Sequence, residues 1–523
     1  GKGFLGFIKF TETDPDTKIS KITVNDIFTT DNYITVLPVL NTVIFNGETP
    51  HLLSETESQW TIYNNFEGSR FRIAPYLTKI HTREWDLNGK FIKSQRALST
   101  YDDIGFKYGN PRIETAFTDE TNINADAPLT LFRYCKTVTN YFSYDFLSDW
   151  VLGVVDSTVI KHEQRNELAM YDRIYNTIFP KGHTSFPLLS STITNPLDTL
   201  AVKTEFNYNS FGLVILKKIS APNYSGDLEA KTETYHYKPE YGYRFLSGIT
   251  NTAGYYSENV FNTTKGTLVK KIDVNGLETR YYYDETGNLK ETRYYDSTRS
   301  VSVNRWATGH EDAPIIPGRA KALWYNWQCS SGKLPVITFY DHLGREIRIV
   351  TYNQEGKKIY ADKYYDHLGQ LWSVSDSYFP ESEPLTSTTI FDVLNRPIKI
   401  TAPGDLVTNI IYDGRTISTI GPGPVKSIVT TDASGRTVKS ADAEGDYVEY
   451  FYFSNGLLKS TRINSMLSTA ITFNYDRNGN KIMVTDPTRG TNQWRYNPYN
   501  QLIFSKDEKD NKLKYDYDVL GRL

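Results

Sequence analysis

Apolar and polar residues alternate with a period of two through much of this chain, and the alternation is punctuated at short intervals by turn residues. In Ala470-Ile471-Thr472-Phe473-Asn474-Tyr475, the residues Ile471, Phe473 and Tyr475 share one face, and Thr472 and Asn474 share the other. Lys512–Tyr517 repeats the arrangement with Leu513, Tyr515 and Tyr517. A period of two puts successive side chains on opposite faces of an extended strand, so both stretches predict strands with one apolar side. Each strand runs into an aromatic-Asp-x-x-Gly tetrad. Complete copies stand at Tyr283, Asp284 and Gly287; Tyr340, Asp341 and Gly344; Tyr365, Asp366 and Gly369; Tyr475, Asp476 and Gly479; and Tyr517, Asp518 and Gly521. An Asp side chain can accept a bond from the backbone two residues on, and Gly tolerates positive φ, so the tetrad predicts a tight turn. After the turn, Arg345–Thr351 resumes the alternation, and Asp442-Ala443-Glu444-Gly445 predicts the connection onward. The unit is a hairpin.

Degenerate copies fill the gaps at Phe391-Asp392, Thr431-Asp432, Phe453-Ser454 and Tyr496-Asn497. From residue 431 the starts read as 431, 453, 475, 496 and 517, in steps of 22, 22, 21 and 21. A near-constant step identifies one supersecondary unit copied in tandem. One hairpin alone is marginal in water, but hairpins set side by side pair their edges and align their tyrosines, at roughly 0.2–1 kcal/mol per cross-strand pair. The fold expected is all-β: tandem β-hairpin repeats forming a spiral, shell-like continuous sheet.

Residues 1–200 read as an irregular β region preceding the regular repeats, with Trp85-Asp86-Leu87-Asn88-Gly89 as an early copy of the tetrad and Glu163–Tyr175 as a short, interrupted helix. Residues 201–523 read as the repeat array. The step from Tyr283 to Tyr340 is 57 residues, and Asp296–Pro335 within it carries Trp306, Trp324, Trp327 and Cys329. It predicts an insertion at about 296–335, either an inserted loop or plug or a degenerate repeat.

Composition narrows the function classes. The chain's 523 residues exceed what one compact core can serve, and 39 tyrosines and 26 phenylalanines against 3 methionines favour strands. With 58 basic and 61 acidic residues and no basic stripe, nucleic acid is an improbable partner, and no apolar run is long enough for a membrane-spanning helix. Cys135 and Cys329 are 194 residues apart and lack metal-ligand spacing. The start at Gly1 and the stop at Leu523, within a repeat, predict that both ends belong to something longer. His342 and His367 follow the turn Asp in neighbouring copies and could share a metal, but no third ligand is visible. Gly421-Pro422-Gly423-Pro424 lacks the Lys-Ser/Thr of a phosphate loop. The turn aspartates occupy equivalent positions one repeat apart, which suits structure rather than a catalytic pair. No catalytic, cofactor or metal residue is expected; the fifteen tetrad residues above are expected to be structural.

The motifs resemble those of the RHS/YD-repeat family, whose unit reads roughly Tyr-x-Tyr-Asp-x-x-Gly-Arg-Leu. Tyr515–Leu523 matches closely, and Tyr340–Arg345 and Tyr281–Leu289 are near matches. Gly3-Phe4-Leu5-Gly6-Phe7 and Trp150-Val151-Leu152-Gly153 resemble segments preceding the repeats in the B component of ABC-type toxin complexes. The resemblance implies a hollow shell, secreted or on a bacterial surface. Its implied partners are an enclosed or attached effector polypeptide, with further subunits or a secretion carrier left open. It also implies an alternative, a cell-surface adhesin or glycan-binding repeat protein. The self-cleavage motif Asp-Pro-x-Gly that follows the repeats in the family is not matched by Asp486-Pro487-Thr488-Arg489, so neither self-cleavage nor toxicity is carried over to any residue.

Overall fold

The computed structural model describes all residues except 1–6, 31–32, 68–69, 103–108, 144–152, 180–187 and 315–320. The resemblance segments at Gly3–Gly6 and Trp150–Leu152 lie outside the described residues. The fold is all-β. It contains 38 strands in an open antiparallel sheet, and the described helices are 3-10 turns of three residues. Two compact units are distinguished: residues 1–231, 411–419 and 424–523 form one, and residues 232–410 and 420–423 the other.

Within each unit, strands adjacent in sequence are neighbours in the sheet. In the first unit Ile471–Tyr475 pairs with Lys481–Asp486, which pairs with Gly490–Tyr496, which pairs with Leu502–Lys506. In the second, Glu278–Tyr283, Leu289–Arg293 and Arg299–Trp306 follow one another in the same way. Among the described residues the ladders inside a unit thus join strands nearby in sequence, which is what tandem duplication of a hairpin produces.

Register shifts by one residue where a strand reaches its tetrad aromatic: between Tyr282 and Tyr283, Phe339 and Tyr340, Tyr364 and Tyr365, Asn474 and Tyr475, and Arg495 and Tyr496. The same bulge sits between Glu84 and Trp85, ahead of the early copy. A bulge sets two residues against one and bends the strand. Here it recurs at one phase of the repeat.

One expectation from sequence changes in the structure. Glu163–Tyr175 is not a helix: Val154–Gln164 and Met170–Ile178 are antiparallel strands in register from Ser157↔Tyr175 to His162↔Met170. The helix-forming residues Glu163, Gln164, Arg165, Glu167, Leu168 and Ala169 straddle a strand end and a turn, where Asn166 takes φ +66°. Cross-strand pairing outweighs their propensity. The described residues before 200 include strands as long as the 17 residues of His51–Glu67.

The expected insertion at about 296–335 contributes two strands to the sheet. Arg299–Trp306 pairs with Trp324–Ser330 from Ser300↔Ser330 to Trp306↔Trp324, and the latter strand pairs onward with Val336–Tyr340. Trp324 stacks on Tyr340 with centroids 4.0 Å apart.

Most strand residues are half-buried and the fully buried core is local. In the second unit, residues 307–313 fold over Tyr325, Ile337, Phe339, Ile347 and Val350. The His310 ring packs edge-on against Tyr325 and Phe339, at 4.6 and 5.1 Å. Beneath the segment, Asp312 accepts from Lys358 Nζ at 2.9 and 3.0 Å, and Arg348 makes a two-bond pair with Asp362 at 2.6 and 2.7 Å. A second buried cluster, Phe117, Ile123 and Phe132, lies in the first unit under residues 120–132.

Candidate functional site

The candidate site is the repeat turn and what it touches. In the turn at Asp341, the backbone closes with the Asp341 amide donating to the Arg345 carbonyl at 3.0 Å and the Gly344 amide donating to the Asp341 carbonyl at 3.1 Å. The Asp341 Oδ1 accepts from the amides of Leu343 and Arg345, both at 2.9 Å. Asp284, Asp476 and Asp518 accept from the amides two and four residues on, and Asp366 from the Gln370 amide. Gly287, Gly344, Gly369, Gly479 and Gly521 have φ between +76° and +89°. Asn395 and Asn500 fill the glycine position in two degenerate copies at φ +61° and +60°, a conformation that Asn tolerates better than other side chains.

One register from sequence is corrected. Phe453 occupies the Asp position, since its amide donates to the Leu457 carbonyl and Gly456 donates back to it. The aromatic of that copy is Tyr452, and the steps from 431 become 21, 23, 21 and 21. Two aromatics side by side made the phase ambiguous in sequence.

Electrostatically three of the turn carboxylates, those of Asp284, Asp341 and Asp518, are held ionised. Burial works against ionisation of Asp341, yet the Arg345 amide and guanidinium and the Leu343 amide outweigh it and keep its carboxyl below the ordinary 3.8. Thr286 and the Asn288 amide lower that of Asp284, and the Arg522 amide lowers that of Asp518. Such groups accept hydrogen bonds and hold no proton to deliver near neutral pH.

A second set of contacts joins each repeat to the next. The residue after the tetrad glycine is often Arg, and its Nε donates to the second carboxylate oxygen of its own turn Asp at 2.7 Å, as in Arg345–Asp341, Arg396–Asp392, Arg436–Asp432 and Arg522–Asp518. The Arg345 guanidinium then lies 4.5 Å over the Tyr365 ring of the following repeat, and Arg436 lies 4.6 Å over Tyr452. These tyrosines reach back: Tyr365 donates to the Glu346 carbonyl at 3.1 Å and Tyr452 to the Thr437 carbonyl at 2.6 Å. Tyr283 and Tyr517 make the same backward bond, to the carbonyls of Leu268 and Leu502. Tyr340 instead stacks on Trp324, and Tyr475 packs edge-on against Phe453 at 6.2 Å. Only the recurrence of Arg after the glycine signalled this clasp in sequence.

A third set was invisible there. In the first unit, turns of residues 411–523 meet residues 86–231 in a seam that advances in order along both stretches. Asp413 accepts from Asn88 at 2.8 Å, and the Gly414 amide donates to buried Asp86 at 3.0 Å. Tyr134 donates to Asp432 at 3.3 Å, and Arg436 lies 4.7 Å over the Tyr134 ring. Lys459 donates to both oxygens of Glu167 at 2.8 and 2.9 Å. Arg477 donates to the Tyr171 carbonyl at 2.8 Å, and the Tyr499 hydroxyl donates to the carbonyls of Glu229 and Ile219 at 3.0 and 3.3 Å. Only Asn88, Arg477 and Tyr499 among these residues are variable positions of a tetrad, and the partners differ in type from one contact to the next, so the seam carries no repeating signal.

The predicted tetrad residues are thus spread one per repeat. None of them lines the cleft of about 590 Å³ beside Arg477 and Tyr499, the cleft of about 740 Å³ around Tyr282 and Tyr294, or that of about 330 Å³ beside Tyr134. Among the described residues, the one acidic or histidine group with metal-binding proximity is the exposed set Asp442, Glu444 and Asp446, which excludes His342 and His367. Cys135 and Cys329 are unpaired with each other. No described helix is long and apolar enough to cross a membrane.

No family model matches the chain, and no curated protein does. Solved structures do. The chain is similar to the crystal structure of TcdB2-TccC3, with a TM-score of 0.70 and 11% identity over 97% of its length. The form of that protein without its hypervariable C-terminal region gives 0.70 and 10% over 98%. A mutant Tc holotoxin pore of Photorhabdus luminescens gives 0.70 and 11% over 98%. The chain spans between 35% and 37% of the length of these chains. At such identity the likeness is one of fold, and it agrees with the resemblance drawn from the repeat motifs.

Proposed function

We propose that this chain is a non-enzymatic wall segment of an exported bacterial RHS/YD-repeat protein, one that encloses or presents an effector polypeptide. The observation that carries the reading is the recurring clasp, in which a turn Asp fixes an Arg that holds the next repeat's Tyr, as in Asp341–Arg345–Tyr365 and Asp432–Arg436–Tyr452. Such a chain builds area. Its conserved-looking chemistry is consumed in hydrogen bonds within and between repeats, so nothing in the tetrads is left to act on a substrate. The whole-length likeness to toxin-complex structures supports a wall that works with other polypeptides, and the fifteen tetrad residues are assigned to holding it.

The test uses the full-length protein that carries this region. Limited proteolysis is expected to leave a polypeptide from outside residues 1–523 intact until the sheet is denatured. Digestion of all flanking polypeptide at the rate seen in a denatured control would overturn the proposal.

One observation favours a second reading as a glycan-binding surface protein. The cleft of about 740 Å³ in the second unit exposes Tyr282, Tyr294 and Tyr295 beside Arg280, Arg293 and Arg299, and aromatic faces flanked by donors suit sugar rings. Glycan-array binding that disappears in a Tyr294→Ala, Tyr295→Ala double variant would favour it over the shell.

A further inference from the structure

His81 is among the most deeply buried side chains of the protein, 1% exposed. It lies in the strand Arg70–Trp85, opposite Glu57 on one side and Arg96 on the other. Its Nε2 is 2.8 Å from the Ile123 carbonyl. A carbonyl only accepts, so Nε2 carries the proton and Nδ1 is the bare nitrogen. Nδ1 is buried and has no hydrogen-bond partner.

What His81 holds is a strap. Residues 120–132 leave the end of Ile113–Asp119, cross the sheet face and return to Tyr134–Ser143. Of their apolar members Ile123, Ala125 and Phe132 are buried and Leu129 and Leu131 exposed, as are Asn122, Asn124, Asp126 and Thr130. Polar contacts from the sheet fasten them besides that of His81, among them Arg83 to Asn124 Oδ1 at 3.4 Å and Lys79 to Asp126 Oδ1 at 3.3 Å. Arg96 donates to the carbonyls of Asn124 and Ala127, both at 2.7 Å, and Ser94 donates to the Thr121 carbonyl at 2.9 Å and accepts from the Ile123 amide at 3.0 Å. The Phe132 ring packs edge-on to the imidazole at 6.4 Å.

Cations and anions around His81 are equal in number, but the charges that act on it most are the cations Arg96, Arg83 and Lys79. On its own strand stand Lys79 and Arg83. The strand His51–Glu67 supplies Glu55 and Glu57, which pair with Arg83; the strand Phe91–Thr100 supplies Lys93 and Arg96; and the strap supplies Glu120 and Asp126, the latter paired with Lys79 at 3.3 Å. Arg96 donates to carbonyls rather than to a carboxylate. Protonating Nδ1 would therefore bury a donor with nothing to accept from it and add a cation beside three others.

We propose that residues 120–132 form a strap that neutral His81 holds closed on the sheet and that acid releases. The direction of the titration agrees: burial first, then Arg96, Arg83 and Lys79, hold the imidazole below the ordinary 6.5. When the strap opens, His81 meets solvent and regains its ordinary affinity for a proton. The open state then binds the extra proton, so the closed state loses ground as pH falls below 6.5. Each pH unit between the ordinary and the lowered value costs the closed state about a factor of ten. The strap's first residue also bears on the seam, because Glu120 accepts from the Ala433 amide at 3.3 Å. Opening removes one contact between the two stretches of the first unit. The inference rests on this geometry and not on the shell reading.

Hydrogen–deuterium exchange on the full chain tests it, with protection factors compared at pH 7.5 and pH 5. Peptides covering 120–132 are expected to lose protection about tenfold or more at the lower pH, while peptides covering Val336–Tyr352 keep theirs. His81→Gln can still donate to the Ile123 carbonyl and cannot titrate, so its strap should be equally protected at both pH values. Lys79→Gln removes one cation together with the strap's exposed Lys79–Asp126 pair, so its strap should start less protected at pH 7.5 yet lose less on going to pH 5. Equal wild-type protection at the two pH values, or an unchanged pH response in both variants, would overturn the proposal.

Discussion

At the scale of the residue, the turn aspartate does two jobs with its two oxygens. Oδ1 of Asp341 takes two backbone amides that the turn would otherwise leave unmade, and Oδ2 fixes Arg345 over the next repeat's tyrosine. Asp341→Ala leaves buried donors without an acceptor, a loss of about 2–3 kcal/mol. Asp341→Asn keeps one acceptor and should lose less. Exchange protection of the Leu343 and Arg345 amides reports both. Since the carboxyl is held below 3.8 in the folded state, its contribution is complete above that value and fades as pH falls through the folded value. Protection at this turn should therefore be flat from pH 7 to about 4 and decline below. Sequence made the Asp and Gly legible because a turn needs particular backbone chemistry at fixed offsets. The arginine's second role was hidden, because its target ring lies a full repeat away.

Elements show where local signals mislead. Alternation predicted the strands, yet the helix-forming composition of Glu163–Ala169 described a strand end and a turn, and the tryptophan-rich stretch before Pro335 paired into the sheet. Both follow from ladders that reward pairing whatever the local propensity. The strand Leu246–Asn251 shows how tightly such pairing can fit. Gly248 lies opposite His236, and the Tyr256 ring crosses the space a Cβ would take while packing edge-on against His236 at 5.4 Å. Its φ is not in the left-handed region, so here space alone requires glycine. Gly248→Ala should cost about 1–3 kcal/mol as the tyrosine is displaced. Adding Tyr256→Ser should recover part of the loss, and a double-mutant cycle by denaturant unfolding gives the coupling.

Across the whole molecule, the sequence announced an array and concealed its seam. Nearest-neighbour clasps repeat, so they leave a period; seam contacts join residues about 300 apart, such as Glu167 and Lys459, and leave none. Individually they are modest, since Lys459 and Glu167 remain partly exposed and such pairs contribute about 0–1 kcal/mol. Lys459→Glu should lower the melting temperature slightly and increase exchange near Leu168. Glu167→Lys in the same chain should restore most of it, and 1 M salt should shrink the difference between the single variant and wild type. A single variant indistinguishable from wild type at low salt would deny the seam any share in stability.

The ordered march of those contacts makes copy number a matter of arithmetic. Duplicating or excising one hairpin between Asp413 and Tyr499 would preserve every clasp to its neighbours, yet every later turn would arrive opposite the wrong mate. A lineage of such proteins can thus lengthen freely only where no second row lies alongside. Elsewhere it must add or lose hairpins in sets that bring both rows back into step.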